Sequence, residues 1–537
     1  MIPCHGPSGG IRAEPHPSGP GDRRALLAPP TQPRSLRSSH FLAFAAIYLY
    51  AFPYFEKLRS AQEIPRLLLA QEMVERRIVH LDGRLGELGS HNDLSIGPDH
   101  KNYANKSPGP SFVAVPVYAV ARVWGKLSIR TAMWVVRVGA ITLPFLLFLP
   151  FFYRLTRWFT GDESARRASL VALALASPAL PYAMLLYSHN LAAVCLGGSF
   201  VAAVFLVRRH LRRPWLLALL AGWLAGMAPS MDYQATLAAP VIWIYVLVCA
   251  RPRIRKALLF AAGALPPLVG TLAYHKVCFG SPFRISYSLG VDRAPEQGLL
   301  GFIGPNWDSL HAILFLPANG LIVLAPWVLL SLVGAATILV RRRWRERVGA
   351  EALVCATVVL VYVLFVGSML PYMARGGWSV GARQLVGMLP FAAWLASVGF
   401  AWMGRRLVTR VLALGTLLAS AAVFLSAATT YPHWPDALRN PLYELSFRLL
   451  AQGYAVHSLG TWVGLHGIWS LLPLYLLAFG WCSYLLVHRV RRPVLVLALG
   501  TALAVAVVAG YGRFPRRSGP ADHVWGWVTA TWEPPRH

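Results

Sequence analysis

The chain has 537 residues, of which 56% are hydrophobic and 14% charged; soluble proteins carry roughly 25% charged residues, so a string of soluble domains is excluded. The formal net charge is +29, but the basic residues stand in short clusters between apolar runs. That distribution sets membrane topology; it is not a basic face that tracks a phosphate backbone, and no nucleic-acid partner is expected.

Residues 1–38, rich in Pro, Gly, Ser and Arg, read as a disordered cytoplasmic leader without the segments of a signal peptide. Beyond it, runs near the length of a bilayer crossing predict about thirteen spans, over 39–56, 131–153, 166–185, 189–208, 213–228, 235–250, 256–274, 316–340, 351–370, 384–403, 407–427, 467–488 and 492–511. The loops carrying Arg154 and Arg157, Arg208-Arg209, 251–256, 341–347, Arg405-Arg406 and 489–492 belong in the cytoplasm by the positive-inside rule. An odd number of spans puts the N-terminus in the cytoplasm and the short tail 512–537 outside. The predicted fold class is an all-α, polytopic transmembrane helix bundle over 39–511, with an extracytoplasmic first loop bearing interfacial helices.

The loops on the other side differ in kind. Segments 57–130, 275–315 and 428–466 hold most of the Asp, His and mixed aromatic-polar residues. In 62–78, Leu67, Leu68, Val74 and Ile78 recur with a helical period, and Pro65 suits an early helical position. A helix along the membrane surface is predicted there and a second over 110–125. The irregular stretch between them holds Asp82, Glu87, His91, Asp93, Asp99, Lys101 and Lys106. A carboxylate there can act as general base toward a hydroxyl, and a Lys can pair with a phosphate; a solvated loop carries the same residue types. The six cysteines show no CxxC spacing and read as buried, inert thiols rather than a disulfide or zinc framework.

Several motifs then follow in order. Residues 65–82 read PRLLLAQEMVERRIVHLD and end in an acid, and 92–118 contain Tyr103, Lys106, Pro108 and Gly109 before a run of small and apolar residues. His189 opens a span within 187–190, and Asp232-Tyr233 closes the Gly-rich segment 222–240. Segments 279–287, 316–327, 374–391 and 431–445 complete the series. Taken together they resemble the bacterial polytopic glycosyltransferases of the GT-C fold, relatives of dolichyl-phosphate-mannose protein mannosyltransferases and lipid A aminoarabinose transferases.

The resemblance implies a multi-pass enzyme of the cytoplasmic membrane with an extracytoplasmic active site. It would move a sugar from a polyprenyl-phosphate-linked donor to a protein, lipid or glycan acceptor, with inversion. It implies Asp82 or Asp93 as catalytic base, with Asp82 ending the interfacial helix and Asp93 nearer the Tyr103–Lys106 motif. Lys106 and Arg383 would contact the phosphate, with Arg375 competing for that role. Tyr103, His189 and Asp232 complete the substrate-binding set. The adjacent acidic pair that many relatives carry in the first loop is not found between these motifs. No metal ligands are assigned, although a divalent metal is compatible with the resemblance. Read on their own, His189 and Asp232 equally suit helix ends, the Gly376-Gly377 pair a turn, and Trp378 and Tyr372 an interfacial belt. A lipid or solute transporter and an inactive protein of the same fold are the competing readings.

Overall fold

The structure, a computed structural model, describes residues 38–534 except 59, 89–92, 210–211, 291–300, 489 and 491. The predicted leader therefore lies outside the described residues apart from Ser38, which opens the helix Ser38–Tyr50. Nearly all regular structure is helical. Two short antiparallel pairs, Ala51–Phe52 with His457–Ser458 and Leu94–Ile96 with Asn102–Ala104, are the strands among the described residues.

Nine of the described helices are long and apolar enough to cross a bilayer, from Ile129–Phe159 to Pro493–Tyr511. Three more of the predicted spans are shorter apolar helices, Phe41–Tyr50, Tyr233–Cys249 and Pro326–Val340. The thirteenth, 166–185, is broken into Glu163–Ala174 and Ala179–Tyr182. Pro178 and Pro181 supply no amide donor to continue the helix. This segment is apolar because it is buried in protein rather than facing lipid, with every residue from Ala165 to Ala174 buried. Irregular backbone at such depth is tolerated where protein surrounds it. Close helix contact is made by small residues. Gly222 and Gly226 of Pro214–Met231 face Arg253–Phe279, and a Cβ on Gly222 would fall 1.8 Å from the Phe260 carbonyl oxygen.

Both segments expected to be helical in the first long loop are so, as Ile64–Glu75 and Gly109–Arg122, packed on each other. The first is mostly buried, from Ile64 to Glu72, and Arg84 ties the following turn to its C-terminal end. That guanidinium bonds Glu72 at 2.9 Å, Glu75 at 2.8 Å and Glu87 at 3.1 Å. The long loops converge at this end of the bundle. Ser95 Oγ donates to the Ser286 carbonyl at 2.8 Å, Tyr187 meets His433, and the Lys57 amide reaches Glu533 at 2.6 Å. The basic loops meet at the other end, where Arg347 donates to the Arg157 carbonyl at 3.0 Å and Lys256 to that of Leu206 at 3.1 Å. The five described cysteines are free, and four of them are buried.

Candidate active site at the loop end of the bundle

Three cations from three elements meet beneath the loops. Arg66 lies on the first turn of Ile64–Glu75, where Pro65 fixes the start of the helix. It is 2% exposed. Its guanidinium donates to the Gln62 carbonyl and lies 3.4 Å from Ser188 Oγ, while Nε has no partner. Lys106 follows the strand Asn102–Ala104; it is buried, with Nζ 2.8 Å from both carboxylate oxygens of Asp93 and 5.4 Å from the Tyr287 ring centre. Arg383 opens the turn Arg383–Met388 that leads into the next span, and its guanidinium stands 5.5 Å from the Tyr187 ring centre. It fits against Gly376, whose φ of +81° caps the helix Pro371–Arg375 and where a Cβ would sit 3.1 Å from Arg383 Nε.

Among the described residues no carboxylate lies within ion-pair distance of Arg66 or Arg383. Burying a guanidinium without a counter-charge costs several kcal/mol. Burial pushes the Lys106 amine below its usual range; Asp93 opposes this, and the positive charges of Arg66 and Arg383 add to it. The cluster thus carries more positive charge than Asp93 offsets.

His189 and Asp232 stand beside it. His189 Nδ1 is 2.5 Å from Asp232 Oδ2. Gln234 Nε2 donates to the same oxygen at 2.9 Å and to the Gln384 carbonyl, next to Arg383, at 2.7 Å. Arg383 therefore rests on a network that joins three helix ends.

Of the sequence-predicted residues, the fold brings together Asp93, Lys106, Arg383, His189 and Asp232. Three lie apart. Asp82 accepts from the Asn102 amide at 3.0 Å and side chain at 2.7 Å, and its other oxygen is 3.0 Å from His80 Nδ1, with its side chain 36% exposed. Burial alone would raise its pKa, but these Asn102 bonds and the nearby His80 hold the carboxyl below its usual value. Tyr103 gives its hydroxyl to Asp99 at 2.8 Å and its ring to Phe279, and burial with that carboxylate keeps the phenol protonated. Arg375 offers its carbonyl to Asn319 at 2.9 Å, and its side chain makes no hydrogen bond to the cluster.

Sequence reasoning passes over four residues that the structure places here: Glu63, Arg66, Arg137 and His433. Glu63, 1% exposed, receives Arg137 at 2.8 and 2.6 Å and the Leu186 amide at 2.6 Å. These donors outweigh burial and keep the carboxylate below its usual range. His433 Nε2 lies 3.9 Å from Glu63, and Nδ1 is 3.2 Å from the Tyr187 hydroxyl. Burial, with the charges of Arg137 and Arg383 adding and Glu63 opposing, pushes the His433 pKa down to about 4, so the imidazole is neutral at pH 7. The available signal is ionisable residues inside apolar runs: Glu63 and Arg66 at the head of an amphipathic helix, and Arg137 within a span.

A cavity of about 490 Å³ opens beside the cluster, between residues 56–58 and 60–62, the Gly376-Gly377-Trp378 turn, His433 and Trp527, with Arg383 and Tyr187 in its wall. No group of three or more His, Cys, Asp or Glu among the described residues converges to hold a metal ion.

No protein-family model and no curated protein matches the sequence. The structure, in contrast, superposes on ArnT from Cupriavidus metallidurans bound to undecaprenyl phosphate with a TM-score of 0.50 at 14% identity, covering 88% of this chain and 74% of that one. The chain has the GT-C fold. The apo state of the same ArnT gives a TM-score of 0.47 at 13% identity with the same coverage. The archaeal oligosaccharyltransferase AglB from Archaeoglobus fulgidus, in complex with an inhibitory peptide and a dolichol-phosphate, gives 0.41 at 11% identity over 86% of this chain and 56% of that one. The GT-C resemblance of the ordered motifs and the all-α membrane architecture are thus both found.

Proposed function

We propose that the protein is a membrane glycosyltransferase that moves a sugar from a polyprenyl-phosphate carrier to an acceptor hydroxyl. The observation that carries this reading is a pair of guanidiniums, the buried Arg66 and the half-buried Arg383 with its Nε closed off and unpartnered, left without a carboxylate beside Lys106. A phosphate ester, singly charged in the sugar-bearing donor and gaining charge as the sugar leaves, is the partner such a cluster lacks, and Arg suits it through paired N–H donors. The fold likeness to a transferase structure holding undecaprenyl phosphate agrees with it.

In this reading the phosphate of the donor sits among Arg66, Arg383 and Lys106, and its arrival relieves the Lys106–Asp93 pair. The acceptor oxygen attacks the anomeric carbon, and the bond from that carbon to the phosphate oxygen breaks. The leaving group departs as polyprenyl phosphate, its charge met by the three cations. The acceptor proton passes to a carboxylate. We assign that role to Asp93, which stands beside the cluster and is freed when the phosphate takes up Lys106; Glu63 is closed by Arg137 and the Leu186 amide, and Asp82 is held by Asn102 away from the cluster. His189 and Asp232 hold Arg383 in place through Gln234. The extracytoplasmic placement of this end and the inverting course belong to the same proposal.

The experiment uses membranes containing the full chain and a labelled polyprenyl-phosphate sugar. Wild type releases or transfers label, and Arg66→Met and Arg383→Met do not. Transfer that survives both substitutions overturns the assignment of the phosphate site.

A further inference from the structure

The tail beyond residue 511 reads as a short appendage in the sequence, yet the structure ties it firmly to the loop end. The helix Ser518–Ala530 buries Ala521, Val524 and Val528. Asp522 pairs with Arg448 at 2.8 Å, and that guanidinium covers Trp525 at 4.3 Å from its ring centre. Trp532 meets Phe55 edge-on, 5.0 Å between ring centres, and Tyr454 at 5.1 Å. The Glu533 carboxylate accepts the amides of Glu56 and Lys57. These contacts press the helix against the segment that borders the cavity. They bring Trp527 edge to face with Trp378, ring centres 5.2 Å apart at 84°, and both indoles line the cavity.

We infer that this cavity is the acceptor site, that it takes a saccharide, and that the C-terminal helix builds one of its walls. The inference rests on the proposed function for the neighbouring phosphate cluster and adds the acceptor's chemical class. Three observations carry it. At about 490 Å³ the cavity falls within the roughly 300–1,000 Å³ of small-molecule sites. Its lining joins aromatic faces, Trp378, Trp527 and Tyr431, to hydrogen-bonding groups, Gln62, Lys57 and His433. A sugar ring presents both partners for this lining: a face of C–H bonds that packs on an indole, and hydroxyls at its rim. Acyl chains would strand those polar groups without partners. Finally, Arg383 belongs to both the cavity wall and the cation cluster. A hydroxyl bound in the cavity therefore lies beside the phosphate-linked sugar that it would attack.

The test uses the full chain in lipid nanodiscs, saturation-transfer NMR with a panel of free α- and β-linked disaccharides, and a parallel titration with undecaprenyl phosphate. At least one disaccharide should saturate wild type. Trp527→Ala and Trp378→Ala should weaken it about tenfold, the scale of one aromatic contact, with undecaprenyl phosphate affinity unchanged. Trp527→Phe, which keeps a ring, should restore most of the binding and serves as the folding control. Failure of every disaccharide on wild type overturns the inference, as does a Trp527→Ala protein that binds them normally. Failure of undecaprenyl phosphate to bind wild type would instead strike the proposed phosphate site, whatever the saccharides do.

Discussion

An arginine largely shielded from solvent stands near each end of the helix Ser188–Arg208, and the chain treats the two in opposite ways. At one end Arg208 holds Glu351 through two bonds of 2.7 Å, donates to the Arg347 carbonyl at 2.8 Å, and shares that carboxylate with the Tyr245 hydroxyl at 2.6 Å. At the other end, about 30 Å away by the length of a 21-residue helix, Arg66 contacts Ser188 and Gln62 but no carboxylate. A buried pair that is complete within the chain is architecture. A buried cation left incomplete is a site awaiting an anion, and its energetic deficit is the affinity available to a ligand.

Substitutions at the two ends should separate along this line. Arg66→Met should lower sugar transfer by about a thousandfold, the scale of removing a charge-stabilising donor, while the melting temperature holds or rises. Arg208→Met should do the reverse, because it strands Glu351. Breaking such a buried pair costs about 3–5 kcal/mol, and activity per folded molecule should stay near wild type. Transfer assays beside thermal melts check both, and similar profiles at the two ends would break the comparison. Among the carboxylates, Asp93→Asn should cost about a hundredfold in turnover, as loss of a general base does, with donor binding retained. Asp82→Asn should leave turnover nearly unchanged. The reverse ranking would return the base to the first-loop turn.

The smallest effect is a pH dependence. The His433 pKa is pushed down to about 4 in the folded chain, against about 6.5 when unfolded. Between those values the unfolded state binds more protons, so stability falls as pH drops from about 6.5 toward 4 and is flat above. His433→Gln should reduce that slope without abolishing it, since His457, also pushed down to about 4 by burial and Arg130, contributes in the same sense. Melting temperatures measured across this pH range would show whether the slope changes.

Apolar length carries most of the fold. It marks the nine long helices and, with Pro65, the first interfacial helix, because each reports burial of a continuous surface. It fails over 166–185, where apolar residues face protein and two prolines interrupt the helix, a distinction that composition does not encode. For the site, Lys106, Arg383, His189 and Asp232 stand out as polar residues at the ends of apolar runs, and the fold gathers them. Glu63 and Arg66 escape notice because a Glu and an Arg one turn apart at a helix start look like surface residues. Only the packing of residues 57–88 under the other loops makes them interior. Asp82 is the converse case. It ends the segment as a catalytic acid would, but Asn102 and His80 occupy its oxygens at the rim. His433 and Trp527 lie hundreds of residues from the first loop, and no local pattern links them to it.

The central claim is that Arg66 and Arg383 await a phosphate. A ligand that binds only the folded state at a hundred times its dissociation constant stabilises by about 2.7 kcal/mol. Undecaprenyl phosphate should therefore raise the melting temperature of wild type and Arg208→Met, and should leave Arg66→Met and Arg383→Met unmoved. An equal rise in all four proteins would contradict the account.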